Sequence, residues 1–200
     1  MIAITISRQL GSGGASIAHL VASELGFRVL DRELIDAVAA RVGVSPEAAQ
    51  TLDEQTYGWA SGLIHSLLLA FRGQQLTQES YHYVADQLIR QAAAHENLVV
   101  LGRAGQLVLG FRPQTFHVHV VAPVRDRIER VAARDHVSPE EARKRVEESD
   151  EARRRYVHAV GHRDWSDPSL YDLVLNTHRM KPEVAAAVVV DAARRAGVVP

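Results

Sequence analysis

The sequence predicts an α/β fold on a parallel sheet of about five strands, and its opening carries most of that expectation. IAITIS (2–7) is a short β-branched run of the kind that suits a buried strand, and GSGG (11–14) follows closely. Beyond the glycines, Ile17, Leu20, Val21 and Leu25 recur at helical spacing, Gly26 supplies a helix stop, and FRVL (27–30) begins a second strand. Strand, loop, helix and strand within about 30 residues is how a parallel sheet starts. A second observation points the same way. NLVVLGR (97–103) is nearly all apolar, as a central parallel strand covered on both faces should be.

The other elements follow in order. FRVL ends in Asp31-Arg32, and a long, mostly helical section comes next. SPEAAQTLDE (45–54) starts with Ser45 as N-cap and Pro46 at the first helical position. LIHSLLLAF (63–71) and YHYVADQLIRQAAA (81–94) carry apolar residues three and four apart. The section reads as an all-helical insertion after the second strand. FHVHVVAP (116–123) is a further strand, RDRIERVAARDHV (125–137) an arginine-rich helix, and SPEEARKRVEESDEARRRYVHAV (138–160) a charged helix opened by a capping box from Ser138 to Glu141. YDLVLNT (171–177) reads as the last strand and KPEVAAAVVVDAARRAG (181–197) as the closing helix.

Composition narrows the classes of function. With 200 residues, a net charge of −1 and 46% hydrophobic residues, the chain is expected to form one domain, 1–200. No apolar run approaches the roughly 20 residues that span a bilayer, and the N-terminus lacks the order of a signal peptide, so the chain reads as cytoplasmic with no membrane partner. The absence of cysteine excludes disulfides, thiol nucleophiles and thiolate metal sites. Near-neutral charge without a basic stretch interleaved with aromatics gives no support for specific nucleic-acid binding. His117 and His119 share one face of a strand at a spacing that suits a metal pair, but no cysteine or nearby carboxylate completes a set. LIHSLLLAF is either core or the face of a homodimer. Only Lys144 and Lys181 among the 23 basic residues are lysines, and most of the arginines read as ordinary surface residues; those at special positions carry the argument.

The glycine loop is the first such position. Glycines admit positive φ and expose backbone N–H groups to an anion, and the helix that follows adds its partial positive charge. The Walker pattern G-x-x-x-x-G-K-[ST] would also place a lysine against the β- and γ-phosphates and a hydroxyl on Mg²⁺. Aligned on Gly13, the lysine position is Gly14, the hydroxyl position is Ala15 and the first glycine is Arg8, so the strict pattern fails at three places, although Ser16 offers a hydroxyl one residue on. A tight turn with no ligand is the alternative.

The ordered set ITISRQLGSGG, LDREL, VVLGRAG, DEARRRYV and HRDWSDPSLYDLVLNT resembles the cytidylate kinase-like family, within the P-loop nucleoside monophosphate kinases, over almost the whole chain. The resemblance implies a three-layer P-loop NTPase fold with a parallel five-stranded sheet, a helical NMP-binding insertion and an arginine-bearing lid. The core would be 1–30, 95–125 and 170–200, the substrate-side helical region 31–94 and the lid region 126–165. It implies ATP and Mg²⁺, small-molecule nucleotides as partners, and transfer of the ATP γ-phosphoryl group to a pyrimidine monophosphate, CMP or dCMP.

The same resemblance assigns roles. Gly11, Ser12, Gly13, Gly14, Ala15 and Ser16 would bind the donor phosphates, with Ser16 near Mg²⁺. Asp31, Arg32, Arg103 and Asp150 would hold the acceptor. Asp31 as a helix N-cap, with Arg32 on the surface, is the competing reading. Arg127, Arg130 and Arg134 share one helical face, and Asp150 and Arg153 have the family's D-x-x-R spacing with Tyr156 after them. Arg130, Arg134 and Arg153 would neutralise the transferring group. Apart from the resemblance, the position of Arg8 at the mouth of the loop makes it the candidate to replace the lysine's charge. The rival is a nucleotide-binding regulatory module with weak or no kinase activity because that lysine is absent; a kinase for another small acceptor is a third reading.

Overall fold

A computed structural model describes residues 1–31, 70 and 77–200. Its five strands are β1 (Ala3–Arg8), β2 (Arg28–Leu30), β3 (Leu98–Leu101), β4 (Thr115–Val121) and β5 (Leu173–Asn176). They form one sheet in the order β2-β3-β1-β4-β5, and every pairing is parallel. The central strand is β1, with Ile4 opposite Val99 of β3 and Phe116 of β4. The described helices are α1 (Gly14–Leu25), α2 (Gln78–His95), α3 (Gly105–Leu109), α4 (Val124–Asp135), α5 (Pro139–Gly161) and α6 (Pro182–Arg195). The short α3 has no counterpart in the sequence reading, because five residues are too few to show a helical period.

Local signals act where the sequence places them. Gly26 ends α1 in the left-handed region at φ 66°, and Ser138 Oγ accepts from the Glu141 N–H at the start of α5. Thr77 caps α2 in the same manner. Of the helical region expected over 31–94, Asp31 and α2 are described; Arg32, the Ser45 cap and nearly all of LIHSLLLAF lie outside the described residues.

The two faces of the sheet differ in chemistry. One is apolar: Ile4 and Ile6 of β1, Val99 and Leu101 of β3 and Val118 and Val120 of β4 are buried with Ile17 and Val21 of α1 and Val189 and Val190 of α6. Each such side chain contributes roughly 1.5–3 kcal/mol on burial. Because side chains alternate along a strand, the opposite face carries Thr5, Ser7, His117 and His119, all of them buried as well. Thr5 and His117 bond each other there, and Ser7 accepts from Trp165. The His117 ring lies 2.8 Å from Thr5 Oγ1 through Nδ1 and 3.0 Å from the Gly110 carbonyl through Nε2. A carbonyl only accepts, so the proton is on Nε2 and the Thr5 hydroxyl donates to Nδ1. Both ring nitrogens of His117 are thus engaged within the fold, and among the described residues no group of three or more His, Asp or Glu could hold a metal ion. No described helix is long and apolar enough to cross a membrane.

His119 is 4% exposed, stacks on Tyr171 at 4.7 Å and has no hydrogen-bond partner for Nδ1 among the described residues. Burial pushes its pKa down to about 4, with the charge of Asp150 opposing. The folded chain therefore binds fewer protons than the unfolded one, and the stability at stake is intact above pH 6.5 and lost as pH falls toward 4. The expected loss is on the order of 3 kcal/mol. Urea melts across that window should show it, and His119→Phe, which keeps a ring against Tyr171, should flatten the slope; an unchanged slope would remove His119 as its source.

Candidate active site

The loop between β1 and α1 leaves backbone N–H groups open to an anion. Gly11 and Gly13 have φ of 80° and 82°. Gly13 is the N-cap of α1 and provides no side-chain cap, so no side chain covers the first N–H groups of a twelve-residue helix. Ala15 and Ser16 are exposed in that first turn. Ser12 instead turns inward and donates to the Gln9 carbonyl.

The loop is held from beneath by charged side chains. Arg127 of α4 donates from Nη1 to the Leu10 carbonyl at 3.2 Å and from Nε to the Ala122 carbonyl at 3.0 Å. The same Nη1 meets Asp150 of α5 at 2.5 Å, and the other Asp150 oxygen accepts from the Leu10 N–H at 3.0 Å. Both side chains are nearly inaccessible. One ion pair thus satisfies the N–H and the carbonyl of a loop residue. The fit is close: a Cβ at Gly11 would lie 2.6 Å from the Arg127 carbonyl oxygen. On the far side Arg130 donates to the Gly11 carbonyl at 3.3 Å and to the Thr177 carbonyl at 2.9 Å, while the Thr177 hydroxyl donates to the Ser12 carbonyl at 2.8 Å.

Two clefts flank the loop. The first, of about 270 Å³, brings together Arg8, Arg103 and Arg153, with Ser7, Tyr156 and Trp165 among its walls. Arg8 arrives there because of two glycines. A Cβ at Gly14 would lie 2.4 Å from Arg8 Cβ, and one at Gly102 would lie 1.9 Å from Arg8 Nη1. The stem of Arg8 therefore occupies the space a side chain at position 14 would need, and its head rests on Gly102. Arg103 follows in the left-handed region at φ 52°. Arg153 reaches the cleft while donating to Asp150 at 3.3 Å. The floor is a buried polar network in which Trp165 Nε1 donates to Ser7 Oγ at 2.7 Å and the Tyr171 hydroxyl to the Trp165 carbonyl at 2.8 Å. Burial pushes the Tyr171 phenol up to about 12, so it stays a donor.

The second cleft, of about 450 Å³, opens on the other side of the loop between Ser12, Gly13, Arg130 and the turn from Thr177 to Pro182. At its edge His178 Nδ1 lies 2.5 Å from Asp126, and that hydrogen bond holds the Asp126 carboxyl below its usual range.

The residues singled out in the sequence are thus distributed. Arg8, Arg103 and Arg153 share the first cleft, Ser12, Gly13 and Arg130 the second, and Asp150 lies under the loop with both oxygens engaged by the protein. Arg134 pairs with the adjacent Asp135 and lines neither cleft. Asp31 follows β2 at the carboxyl edge of the sheet, and Arg32 lies outside the described residues. Sequence reasoning did not anticipate the parts played by Arg127, Thr177, Ser7 or Trp165. Arg127 had a signal, the face it shares with Arg130, whereas the Trp165–Ser7 contact joins positions 158 residues apart.

A parallel sheet ordered 2-3-1-4-5, with a glycine loop between its first strand and first helix, defines a P-loop kinase fold. The chain superimposes on an uncharacterized protein from Eubacterium ventriosum with a TM-score of 0.72 at 20% identity, covering 96% of this chain and 97% of the other. For a shikimate kinase from Acinetobacter baumannii the TM-score is 0.51 at 13% identity, covering 98% and 94%. Residues 3–179 match the cytidylate kinase-like family, and the chain belongs to it. The cytidylate kinase of Pyrococcus horikoshii is 30% identical over 191 residues, spanning 94% of this chain and 86% of that protein. That of Pyrococcus abyssi is also 30% identical, spanning 94% and 91%.

Gly102→Ala is expected to lower stability by about 1–3 kcal/mol in denaturant melts, from the strained φ and the contact with Arg8. Unchanged stability would mean that the Arg8 head moves aside at no cost.

Proposed function

We propose that the protein is a nucleoside monophosphate kinase that transfers the γ-phosphoryl group of ATP to a pyrimidine monophosphate, CMP or dCMP. The observation that carries this reading is the place of Arg8: its stem fills the position of the missing loop lysine, and its head enters the cleft that Arg103 and Arg153 also line.

The two clefts divide the work. The second suits the nucleoside of the donor, with the guanidinium of Arg130, bound through its edges to Gly11 and Thr177, offering a flat platform for a base. The polyphosphate then crosses the glycine loop, where backbone N–H groups and the α1 N-terminus neutralise it. Its terminal group reaches the first cleft, where the acceptor phosphate would lie against Arg103. Mg²⁺, when bound, would offset the charge of the phosphates, and Ser16, exposed in the first turn of α1, would be the residue to add a hydroxyl to it.

The chemistry needs little else. An oxygen of the acceptor phosphate attacks the γ-phosphorus, the bond to the β–γ bridging oxygen breaks, and ADP leaves with that electron pair. A phosphate monoester is largely ionised at neutral pH, its second pKa being about 6, so no base has to remove a proton. In keeping with this, no histidine, aspartate or glutamate is among the described residues lining the first cleft. A sugar-hydroxyl acceptor, by contrast, would need a base to take its proton. Charge neutralisation falls to Arg8 and Arg153, with Arg103 on the acceptor. Arg134 joins only if α4 rearranges.

Turnover in a coupled assay with CMP, dCMP and the other monophosphates tests the reading: ADP should form fastest with a cytidine nucleotide, and its absence with every acceptor, despite ATP binding, would favour the regulatory module. Arg8→Ala should lower kcat by about 10²–10³. Gly14→Lys alone should be harmful because Arg8 fills that space, whereas Arg8→Ala with Gly14→Lys should regain part of the loss. Unchanged kcat in Arg8→Ala would dismiss the substitution of arginine for lysine.

A further inference from the structure

Ser7, near the carboxyl end of β1, is 6% exposed and lines the first cleft with Arg8, Arg103 and Arg153. Its oxygen accepts from Trp165 Nε1 at 2.7 Å, and an indole N–H only donates. The neighbouring hydroxyl, that of Tyr171, has one proton and gives it to the Trp165 carbonyl at 2.8 Å. Gln106 Nε2 approaches the same Tyr171 oxygen as a donor at 3.4 Å. Ser7 Oγ and the Tyr171 oxygen are 3.5 Å apart, beyond the roughly 2.5–3.0 Å of an O–H···O bond. The oxygen of Ser7 is therefore held by the protein, while its proton meets no acceptor at an ordinary bonding distance among the described residues.

From this proton count we infer that Ser7 is a further acceptor-binding residue, whose hydroxyl donates to an oxygen of the acceptor phosphate in the first cleft. The inference rests on the kinase reading and adds one residue to it. The sheet places Ser7 near Arg103: β1 and β3 are parallel neighbours, and the Gly102 N–H donates to the Ile6 carbonyl at 3.0 Å, so the two residues each follow a partner in that bond. A buried hydroxyl without an acceptor is costly, and the charge of the cleft selects what supplies one. Three arginines line it and, among the described residues, no carboxylate does, so the oxygen drawn to this proton belongs to an anion. Trp165 fixes the Ser7 oxygen without taking its proton, which leaves the hydroxyl a donor. It orients the phosphate, and the arginines supply the charge.

The test compares Ser7→Ala, Ser7→Thr and Trp165→Phe with wild type, each checked by circular dichroism and thermal melting. CMP and cytidine are titrated calorimetrically, cytidine having the base and sugar but no phosphate, and kcat and the KM values for CMP and ATP are measured. Ser7→Ala should weaken CMP binding roughly 10- to 100-fold, the worth of a hydrogen bond to a charged group, with cytidine binding and the KM for ATP changed less than about twofold. Ser7→Thr keeps the hydroxyl and should recover most of that loss. Trp165→Phe breaks the same internal hydrogen bond but leaves the Ser7 proton, so CMP should lose less than about threefold relative to cytidine. If Ser7→Ala is too unstable to assay because its indole N–H is left unpaired, Ser7→Ala combined with Trp165→Phe, which has no such N–H, is compared with Trp165→Phe alone and should show the same selective loss of CMP. The inference is overturned if removing the hydroxyl leaves CMP binding unchanged, if it weakens CMP and cytidine equally, if Trp165→Phe lowers the CMP-to-cytidine ratio as far as Ser7→Ala does, or if only kcat falls, which would assign the hydroxyl to the transferring group. Wild-type turnover together with an unaffected Ser7→Ala would sink this inference and leave the kinase reading standing. A wild-type protein that neither turns over nor binds any monophosphate would sink both.

Discussion

The site depends on a steric exchange between Arg8 and Gly14. A phosphate loop usually carries a long cationic side chain at the first position of the helix that follows; here that position has no side chain at all, and an arginine from the end of β1 lies across it. The 2.4 Å separation between Arg8 Cβ and a hypothetical Gly14 Cβ shows that the two cannot share the space. Gly102 completes the exchange by giving the Arg8 head a surface to lie on. In the proposed reading, the charge of the missing lysine is delivered by Arg8 from the other side of the loop.

That delivery needs a loop that does not move, and the structure commits charged side chains to holding it. The Arg127–Asp150 pair satisfies both backbone groups of Leu10, and Arg130 of α4 and Thr177, just after β5, tie down Gly11 and Ser12. A buried pair of this kind adds little net stability, and losing one partner costs about 3–5 kcal/mol. Its value here is positional: it ties the loop to α4 and α5, the helices of the expected lid region. Arg153 shares the Asp150 carboxylate with that pair and also lines the first cleft, so the phosphate loop and the cleft wall are mechanically one unit.

Much of this was legible in the sequence and some could not be. The parallel sheet showed in β-branched and apolar runs, because strands buried on both faces have few other compositions open to them. Gly26 and Ser138 marked helix ends because capping is local chemistry. The convergence of Arg8, Arg103 and Arg153 was readable only as separate positions, since a one-dimensional pattern gives the end of a strand and not where a long side chain goes. Asp150 illustrates the limit. Its D-x-x-R spacing drew attention to it as a ligand-binding carboxylate, whereas its oxygens meet Leu10, Arg127 and Arg153, contacts made across the fold. The buried face of Thr5, Ser7, His117 and His119 was equally hidden: alternation identifies a polar face, but the packing of Trp165 and Tyr171 on His119, Phe111 on His117 and Gly105 against Thr5 is what covers it.

The most direct measurement is a crystal structure of the protein with ADP, aluminium fluoride and CMP, which mimics the transferring phosphoryl group between donor and acceptor. The account expects the Arg8 guanidinium within hydrogen-bonding distance, roughly 2.7–3.1 Å, of the fluoride group, with its stem still over Gly14 and the phosphate of CMP on Arg103. An Arg8 head out of reach of that group, with the charge there met by arginines of α4 and α5 alone, would contradict it.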